Sequence, residues 1–257
     1  MLQITTQQGL FMTSQKKISQ IAHKHHSKNK CACIEHNKKV INKLLSKNTT
    51  KRLNNLNWLR QKISFEESRN LFYMPNKKQS PYFDYSCTRG LGNAYDYILE
   101  HHDIEKPLSL SDVCQIHYLI CNRANIQMND SFIRAGVINQ TAIPMEIETK
   151  LENIIFQSTH NDKKTFFQAF DLHYQIILLQ PFDDYNKRTA RMIMNWYLIK
   201  NGYHPIAFTK KNDKTKYPES LLKMKQNHAD FYYEYMIQSM LHTQTEIINQ
   251  LRALKIY

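Results

Sequence analysis

Residues 178–191 read LLQPFDDYNKRTAR and separate two long segments that have the apolar spacing of helices. The segment before them, residues 166–179, reads FFQAFDLHYQIILL, and the segment after them runs to Gly202. Pro181 has no backbone N–H and disfavours a helical conformation in the residue before it, so the first helix ends there. The second helix is predicted to begin at Asn186.

The start of this second helix carries three cations, Lys187, Arg188 and Arg191. A helix N-terminus already presents unpaired N–H groups and the positive end of the helix dipole, and both attract anions. Asp184 lies just before it and offers the carboxylate oxygen that Mg²⁺ prefers. The stretch therefore predicts a site for a magnesium-bound nucleotide, with an ordinary solvated helix face as the alternative.

This stretch resembles the HxFx(D/E)GNGRxxR motif of the Fic/Doc (Fido) family. The positions in register are Gln180, Phe182, Asp184, Asn186, Arg188 and Arg191. The resemblance implies that Phe182 anchors the loop in the core and that Asp184 holds Mg²⁺. It also implies that Asn186, Lys187 and the two arginines contact the phosphates of ATP. In the family, the His at the position of Gln180 is the general base for a hydroxyl of the target protein.

Three departures from the motif bear on catalysis: Gln180 replaces His, Tyr185 replaces the first Gly and Lys187 replaces the second. Glutamine cannot accept the proton, and loss of a positioned base slows a reaction by about 10²–10⁴-fold. We interpret His173 and His204 as packing or surface residues rather than substitutes. Glycine permits positive φ and close approach to phosphate, which Tyr and Lys are expected to obstruct.

The resemblance implies transfer of AMP from ATP to a hydroxyl of a target protein, impaired by Gln180. Two alternatives stay open. One is an inactive pseudoenzyme that binds nucleotide and docks a partner. The other is a protein kinase, because the order Asn186-Lys187-Arg188 resembles the Doc branch, in which such a Lys accompanies transfer of the γ-phosphate.

The predicted fold is mainly α, a helical bundle of the Fic type with a short β-hairpin flap. Helices are expected at about residues 54–71, 91–102, 110–124 and 145–157, and residues 73–87, with two prolines and no period, are expected as a loop. Val137, Ile138 and Asn139 belong to the predicted hairpin. In the family this flap binds the target segment as an added strand; an unrelated surface hairpin is the alternative.

Residues 64–71 loosely resemble the inhibitory motif (S/T)xxxE(G/N) of the family, with Glu67 as the candidate carboxylate. In the family that Glu pairs with the second motif Arg and blocks productive nucleotide binding. The match is incomplete, because Ser64 lies three residues before Glu67 instead of four and Ser68 replaces Gly or Asn. The alternative is an ordinary ion pair on a helix surface.

Charge divides the chain into two parts. Residues 1–62 contain 13 Lys and Arg against the single Glu35, whereas the remaining residues contain 22 against 21. We therefore predict a basic extension, flexible or partly helical, over residues 1–53 and a Fic-type domain with flanking helices over residues 54–257. Because the basic charge belongs to the extension, nucleic acid is not an expected partner of the domain.

The extension contains a run of His and Cys that could in principle bind a metal: His23, His25, His26, Cys31, Cys33 and His36. Its spacing differs from that of known zinc sites, so a plain basic arm is the favoured interpretation. Five cysteines without framework spacing indicate reduced thiols. No signal peptide or membrane span is predicted, so we expect a cytoplasmic protein, or one delivered into a host cell without a cleaved signal, with self-association left open.

Overall fold

A computed structural model describes residues 28–46, 48–66, 81–101, 107–121, 146–182, 184–210 and 213–254. Within these ranges the chain forms nine α-helices, which confirms the mainly helical fold class. They are α1 (Lys28–Ser46), α2 (Thr49–Gln61), α3 (Pro81–His101), α4 (Leu110–Cys121), α5 (Ile147–Thr159), α6 (Thr165–Leu179), α7 (Asn186–Lys200), α8 (Asp213–Lys225) and α9 (Ala229–Ala253). A π-helical turn, Lys62–Glu66, follows α2 directly.

Helices α6 and α7 form the centre of the bundle. They pack against each other, while α5 covers α6, and α3 and α4 cover α7. The large apolar side chains of this centre are fully buried, among them Phe166, Phe170 and Trp196. Burial of such side chains contributes roughly 1.5–3 kcal/mol each, so this layer is the main source of stability. The loop of residues 180–185, which joins the two helices, is therefore held at both ends by a rigid core.

Helix α3 begins at Pro81, not near Leu91, so the expectation of a loop up to Cys87 is wrong for its second half. Proline at the first position of a helix costs no hydrogen bond, because the N–H groups there have no partner within the helix. Gly90 lets α3 approach α4 closely, since a Cβ atom on it would lie 2.4 Å from the Ile120 carbonyl oxygen. Any larger residue would push the two helices apart.

Helix α4 begins as its sequence predicts. Ser109 and Asp112 form a reciprocal cap: the Ser109 Oγ accepts from the Asp112 N–H at 3.2 Å, and the Asp112 Oδ2 accepts from the Ser109 N–H at 3.0 Å. Such a capping box satisfies two N–H groups that the helix itself leaves unpaired. The capping box fixes the N-terminus of α4, and α4 packs against α7.

Part of the basic extension is a helix that packs against the C-terminal helix α9. Cys31, Ile34 and Ile41 lie on one face of α1 and are buried. The Gln244 amide donates to the Ile34 carbonyl at 3.3 Å, and the Tyr203 hydroxyl donates to Glu35 at 2.5 Å. The expected boundary near residue 53 stays a prediction, but residues 28–46 contribute to the same core as the helices that follow.

The structure describes only part of the His- and Cys-containing run, whose favoured interpretation is a plain basic arm. Cys31 is buried and Cys33 exposed, because residues two apart on a helix point in different directions. No group of three His, Cys, Asp or Glu side chains that could hold a metal occurs in the described ranges. His23, His25 and His26 lie outside them. In the same ranges, no helix combines the length and apolarity needed to cross a membrane.

Candidate functional site

The loop between α6 and α7 bends at two residues that adopt left-handed backbone conformations. Gln180 ends α6 with a φ of 47°, and Tyr185 precedes α7 with a φ of 60°. The expectation that Tyr185 obstructs positive φ is therefore wrong; the side chain accepts a conformation that costs roughly 1–2 kcal/mol relative to glycine. Lys187 is a helical residue of α7, so its position does not require positive φ. The loop therefore has two residues in the left-handed conformation that is typical of glycine, although neither of them is glycine.

Asn186 closes this loop with its side-chain amide. Its Oδ1 accepts from the Phe182 N–H at 2.9 Å, and its Nδ2 donates to the Phe182 carbonyl at 2.6 Å. Both polar groups of one backbone position are thereby satisfied, at a net gain of about 1 kcal/mol each. In this structure the Asn186 amide shapes the loop; its expected contact with phosphate stays a prediction.

Phe182 lies in the core, as the resemblance implies, with 1% of its surface exposed. Its ring stacks on His117 of α4, with 3.7 Å between the centroids and 4° between the planes. The His117 Nδ1 lies 3.0 Å from the Thr189 hydroxyl of α7, and its Nε2 lies 3.3 Å from the Cys121 sulfur. His117 thus joins the loop to two helices. Sequence reasoning missed it, although it shares the apolar face of α4 with Val113, Ile116 and Ile120.

The three cations of α7 lie in different surroundings. Lys187 is exposed, whereas Arg188 and Arg191 are buried, with 7% and 1% of their surfaces accessible. The Arg188 guanidinium lies 4.8 Å from the centre of the Tyr185 ring, a cation–π contact. Tyr185, at the N-cap position, gives α7 no side-chain cap. The helix dipole and the cations of the first turns together make this end of α7 attractive to an anion.

Arg191 points into the protein and meets aromatic rings. Its guanidinium carbon lies 5.3 Å from the centre of the Tyr217 ring and 6.0 Å from that of Phe208, and its Nη1 lies 3.4 Å from the Tyr217 hydroxyl. His173 of α6 lies on the other side of Tyr217, fully buried. Sequence reasoning did not find Tyr217, because it lies 44 positions after His173 and nothing local marks their contact.

His173 is confirmed as a packing residue and cannot replace the missing base. Both of its ring nitrogens are engaged, Nδ1 at 2.7 Å from the Tyr232 hydroxyl and Nε2 at 2.8 Å from the Tyr217 hydroxyl. Complete burial, and then the charge of Arg191, hold the pKa of His173 well below its ordinary value. The ring is therefore neutral at physiological pH. His204 behaves alike, since burial lowers its pKa to about 4.

Residues 107–198 of the chain match the model of the Fic/DOC family. The chain contains a Fic domain. Solved structures agree: a Fic domain-containing signaling protein from Bacteroides thetaiotaomicron superposes with a TM-score of 0.68 at 17% identity, over 88% of this chain and 100% of that one. Fic-1 from C. elegans superposes with a TM-score of 0.61 at 16% identity, over 85% and 71%. At these identities the likeness shows the fold alone.

Curated relatives match a shorter part of the chain. The protein adenylyltransferase fic-1 of Caenorhabditis briggsae is 29% identical over 119 residues, and protein adenylyltransferase Fic of Aedes aegypti is 26% identical over 113 residues. These matches cover 42% and 41% of this chain. The chain spans only 22% of the length of either relative.

Asp184 of the Fic domain is suited to a hard metal ion. It is exposed, and its Oδ1 accepts from the Tyr185 N–H at 2.6 Å. Mg²⁺ in proteins is commonly held by one or two carboxylates together with water and substrate phosphate oxygens. A single exposed carboxylate beside the N-terminus of α7 fits that coordination only when a nucleotide supplies further oxygens.

Two sets of predicted site residues are not tested by the structure. Val137, Ile138 and Asn139 of the expected flap lie outside the described residues, and so does Glu67 of the expected inhibitory motif. Ser64, the hydroxyl residue of that motif, is buried in the π-helical turn and donates to the Arg60 carbonyl at 2.7 Å. The flap and the inhibitory carboxylate stay predictions.

A cleft of about 620 Å³ lies at the other end of α7 and is not part of this site. Its walls include Pro107, Phe156, Trp196 and Lys200. At 1.5 Å per residue, Trp196 is about 15 Å along the helix axis from Asn186. The cleft and the cations at the start of α7 therefore lie at opposite ends of this helix.

Proposed function

We propose that this Fic domain binds ATP with Mg²⁺ at the N-terminus of α7 and transfers AMP to a hydroxyl of a target protein. Asp184 would hold the metal ion, and Lys187, Arg188 and Arg191 would neutralise the phosphates. The names of the curated relatives, both protein adenylyltransferases, support this reaction class. The expected flap around Ile138 would present the target segment.

The loop geometry is the observation that carries this proposal. Tyr185 adopts a φ of 60° at the position where the family motif has glycine, and Asn186 holds the Phe182 backbone with two hydrogen bonds. A chain that had lost the need to bind phosphate would gain by relaxing the strained residue, because the strain costs roughly 1–2 kcal/mol. A strained conformation at the position where the family motif has glycine favours a working nucleotide site.

The transfer is a displacement at phosphorus. The oxygen of the target hydroxyl forms a bond to the α-phosphorus, the bond from that phosphorus to the bridging oxygen breaks, and pyrophosphate leaves with its electron pair. The hydroxyl proton must go to a base. Gln180 is not a base, so the proton passes to water, and we expect the rate to be lower by about 10²–10⁴-fold than with a positioned His.

The experiment is intact-mass analysis after incubation with ATP and Mg²⁺, applied to the parent protein and to Gln180→His. Self-modification serves as the readout, since the target protein is unidentified. We expect addition of AMP, faster by 10²–10⁴-fold in Gln180→His. The same variant with Arg188→Ala is the control and should show no addition, because it lacks a phosphate-binding cation.

Two other outcomes would point to the alternatives. Addition of phosphate instead of AMP would favour the kinase reaction that the Doc-like Lys187 suggests. A Gln180→His protein that binds ATP, yet adds nothing even with Tyr185→Gly and Lys187→Gly, would overturn the transferase proposal and leave a nucleotide-binding pseudoenzyme. Binding itself is measured separately, because a ligand that binds only the folded state raises the melting temperature.

We also propose a cytoplasmic location, or delivery into a host cell. The support is chemical: no pair of cysteines forms a disulfide in the described part of the chain, and Cys31 and Cys114 are thiols. Burial raises the pKa of the Cys114 thiol to about 11. Growth in an oxidising compartment, followed by mass analysis of the thiols, would test whether the protein tolerates such conditions.

A further inference from the structure

A continuous line of hydrogen bonds runs through the core from Arg191 to the backbone of α6. The Arg191 Nη1 lies 3.4 Å from the Tyr217 hydroxyl, which lies 2.8 Å from the His173 Nε2. The His173 Nδ1 lies 2.7 Å from the Tyr232 hydroxyl, which donates to the Phe170 carbonyl at 2.8 Å. Four helices, α6 to α9, are joined by this line.

The donor and acceptor of each hydrogen bond in this line can be assigned by starting at the Phe170 carbonyl, which can only accept. Tyr232 has one hydroxyl proton and donates it to the Phe170 carbonyl, so its oxygen accepts from the His173 Nδ1–H. A neutral ring protonated at Nδ1 has an acceptor at Nε2, and Tyr217 donates to it. The lone pairs of Tyr217 then remain for the N–H of Arg191. The buried, neutral state of His173 supports this assignment.

We propose that Tyr217, oriented by His173, is the positioning residue for the guanidinium of Arg191, and thereby for the nucleotide phosphate that Arg191 contacts. The proposal rests on the proposed function. Arg191 has 1% of its surface exposed, so it can reach a phosphate only in the position that its packing partners allow. Tyr217 meets it twice, through the ring at 5.3 Å and through the hydroxyl at 3.4 Å.

The hydroxyl is the part of Tyr217 that sets direction. A cation–π contact holds a guanidinium near a ring but leaves it free to turn, whereas a hydrogen bond fixes one of its N–H groups. Tyr217→Phe keeps the ring and removes only the hydroxyl. His173→Gln keeps a donor and an acceptor in the side chain and is the conservative replacement for the relay, while His173→Leu removes both groups.

The test measures dissociation constants for ATP with Mg²⁺ and for tripolyphosphate with Mg²⁺, which has the phosphates alone. We expect Tyr217→Phe to weaken binding of both ligands about tenfold, the effect of losing a hydrogen bond to a charged group. His173→Leu should weaken binding similarly, and His173→Gln should restore most of it. Tyr197→Phe is the matched control, because it removes a buried hydroxyl that donates to Gln168 at 2.9 Å instead.

A double-mutant cycle separates positioning from a general loss of stability. If Tyr217 acts through Arg191, the effect of Tyr217→Phe on binding disappears once Arg191 is changed to Ala. An equal effect with and without Arg191, or an equal loss in Tyr197→Phe, would overturn the proposal while leaving the proposed function intact. Absence of ATP binding by the parent protein would overturn the proposed function, and the role of Tyr217 with it.

Discussion

Two asparagines of α7 each form two side-chain hydrogen bonds with the backbone of one residue, but they differ in how deeply they are buried. Asn186 bonds the N–H and carbonyl of Phe182 in the loop, and Asn195 bonds those of Ile206, at 2.8 and 3.0 Å, in the core. Asn186 is half-buried, while Asn195 has no exposed surface. The same pair of hydrogen bonds therefore shapes the loop before α7 at one end of the helix and fixes the buried backbone of Ile206 further along.

The two regions differ in how much stability a substitution is expected to cost. At the loop end, Tyr185 and Lys187 stand where the family motif has glycines, and two hydrogen bonds from Asn186 hold the backbone of Phe182. Around Asn195 the neighbouring polar groups are fully enclosed, and a buried group left without its partner costs about 1–3 kcal/mol. We therefore expect a substitution to cost more stability on the core side of α7 than in the loop.

The largest effect is expected from Asn195→Ala, which leaves the Ile206 N–H and carbonyl without partners inside the protein. We predict a loss of roughly 3–4 kcal/mol in the free energy of unfolding, against about 1–2 kcal/mol for Asn186→Ala, because Asn186 is only half-buried and water can enter the space that its side chain leaves. Urea denaturation of both variants at one pH measures the difference. Equal losses would show that the depth of the two asparagines does not matter.

The second prediction concerns acid and the two histidines whose pKa is lowered, His204 and His173. Burial lowers the pKa of His204 to about 4, below its unfolded value of about 6.5. Between these two pH values the unfolded chain binds a proton at His204 and the folded protein does not. Stability is thus complete above about pH 6.5 and falls as the pH drops toward 4. His204 alone should remove about 2 kcal/mol between pH 7 and pH 5.

His173 adds to this decline, because burial lowers its pKa in the same direction. Urea midpoints of the parent, His204→Gln and His173→Gln, taken at several pH values, give the slopes. Each variant should lose stability less steeply than the parent as the pH falls. Three identical slopes would mean that neither histidine is a source of acid sensitivity.

The smallest effect is expected at Tyr185, where two substitutions separate backbone strain from side-chain contact. Both Tyr185→Gly and Tyr185→Ala lose the ring that lies 4.8 Å from Arg188, but only glycine adopts a φ of 60° without strain. The glycine variant should be more stable than the alanine variant by about 1 kcal/mol. Equal thermal stability of the two variants would argue against a strained loop. The glycine variant should also bind ATP more tightly than the alanine variant.

Features that depend on neighbours in sequence were predictable. Pro181 ends α6, Asn186 begins α7, and Ser109 with Asp112 caps α4, because each signal acts within one turn of chain. The motif could be found in the sequence for the same reason, since its positions all lie between Gln180 and Arg191. The start of α3 was not, because a proline at a helix start and a proline in a loop look alike in sequence.

Contacts between segments that are distant in sequence could not be predicted and were found only in the folded structure. His117 reached Phe182 and Thr189 through the packing of α4 on α7, and α1 reached α9 across most of the sequence. Nothing local distinguishes such residues from other core positions, because burial depends on which helix faces come together. Tyr217 belongs to the same class.

The sequence by itself determined the helical content, the break at Pro181 and the cations at the start of α7, since these follow from local periodicity and residue type. Only the tertiary structure decided that Arg191 is buried, that Tyr185 takes a left-handed conformation and that His173 is neutral between two tyrosines. The physical reason is the same in each case. Burial, strain and a shifted pKa measure the surroundings of a residue, and several separate helices provide those surroundings.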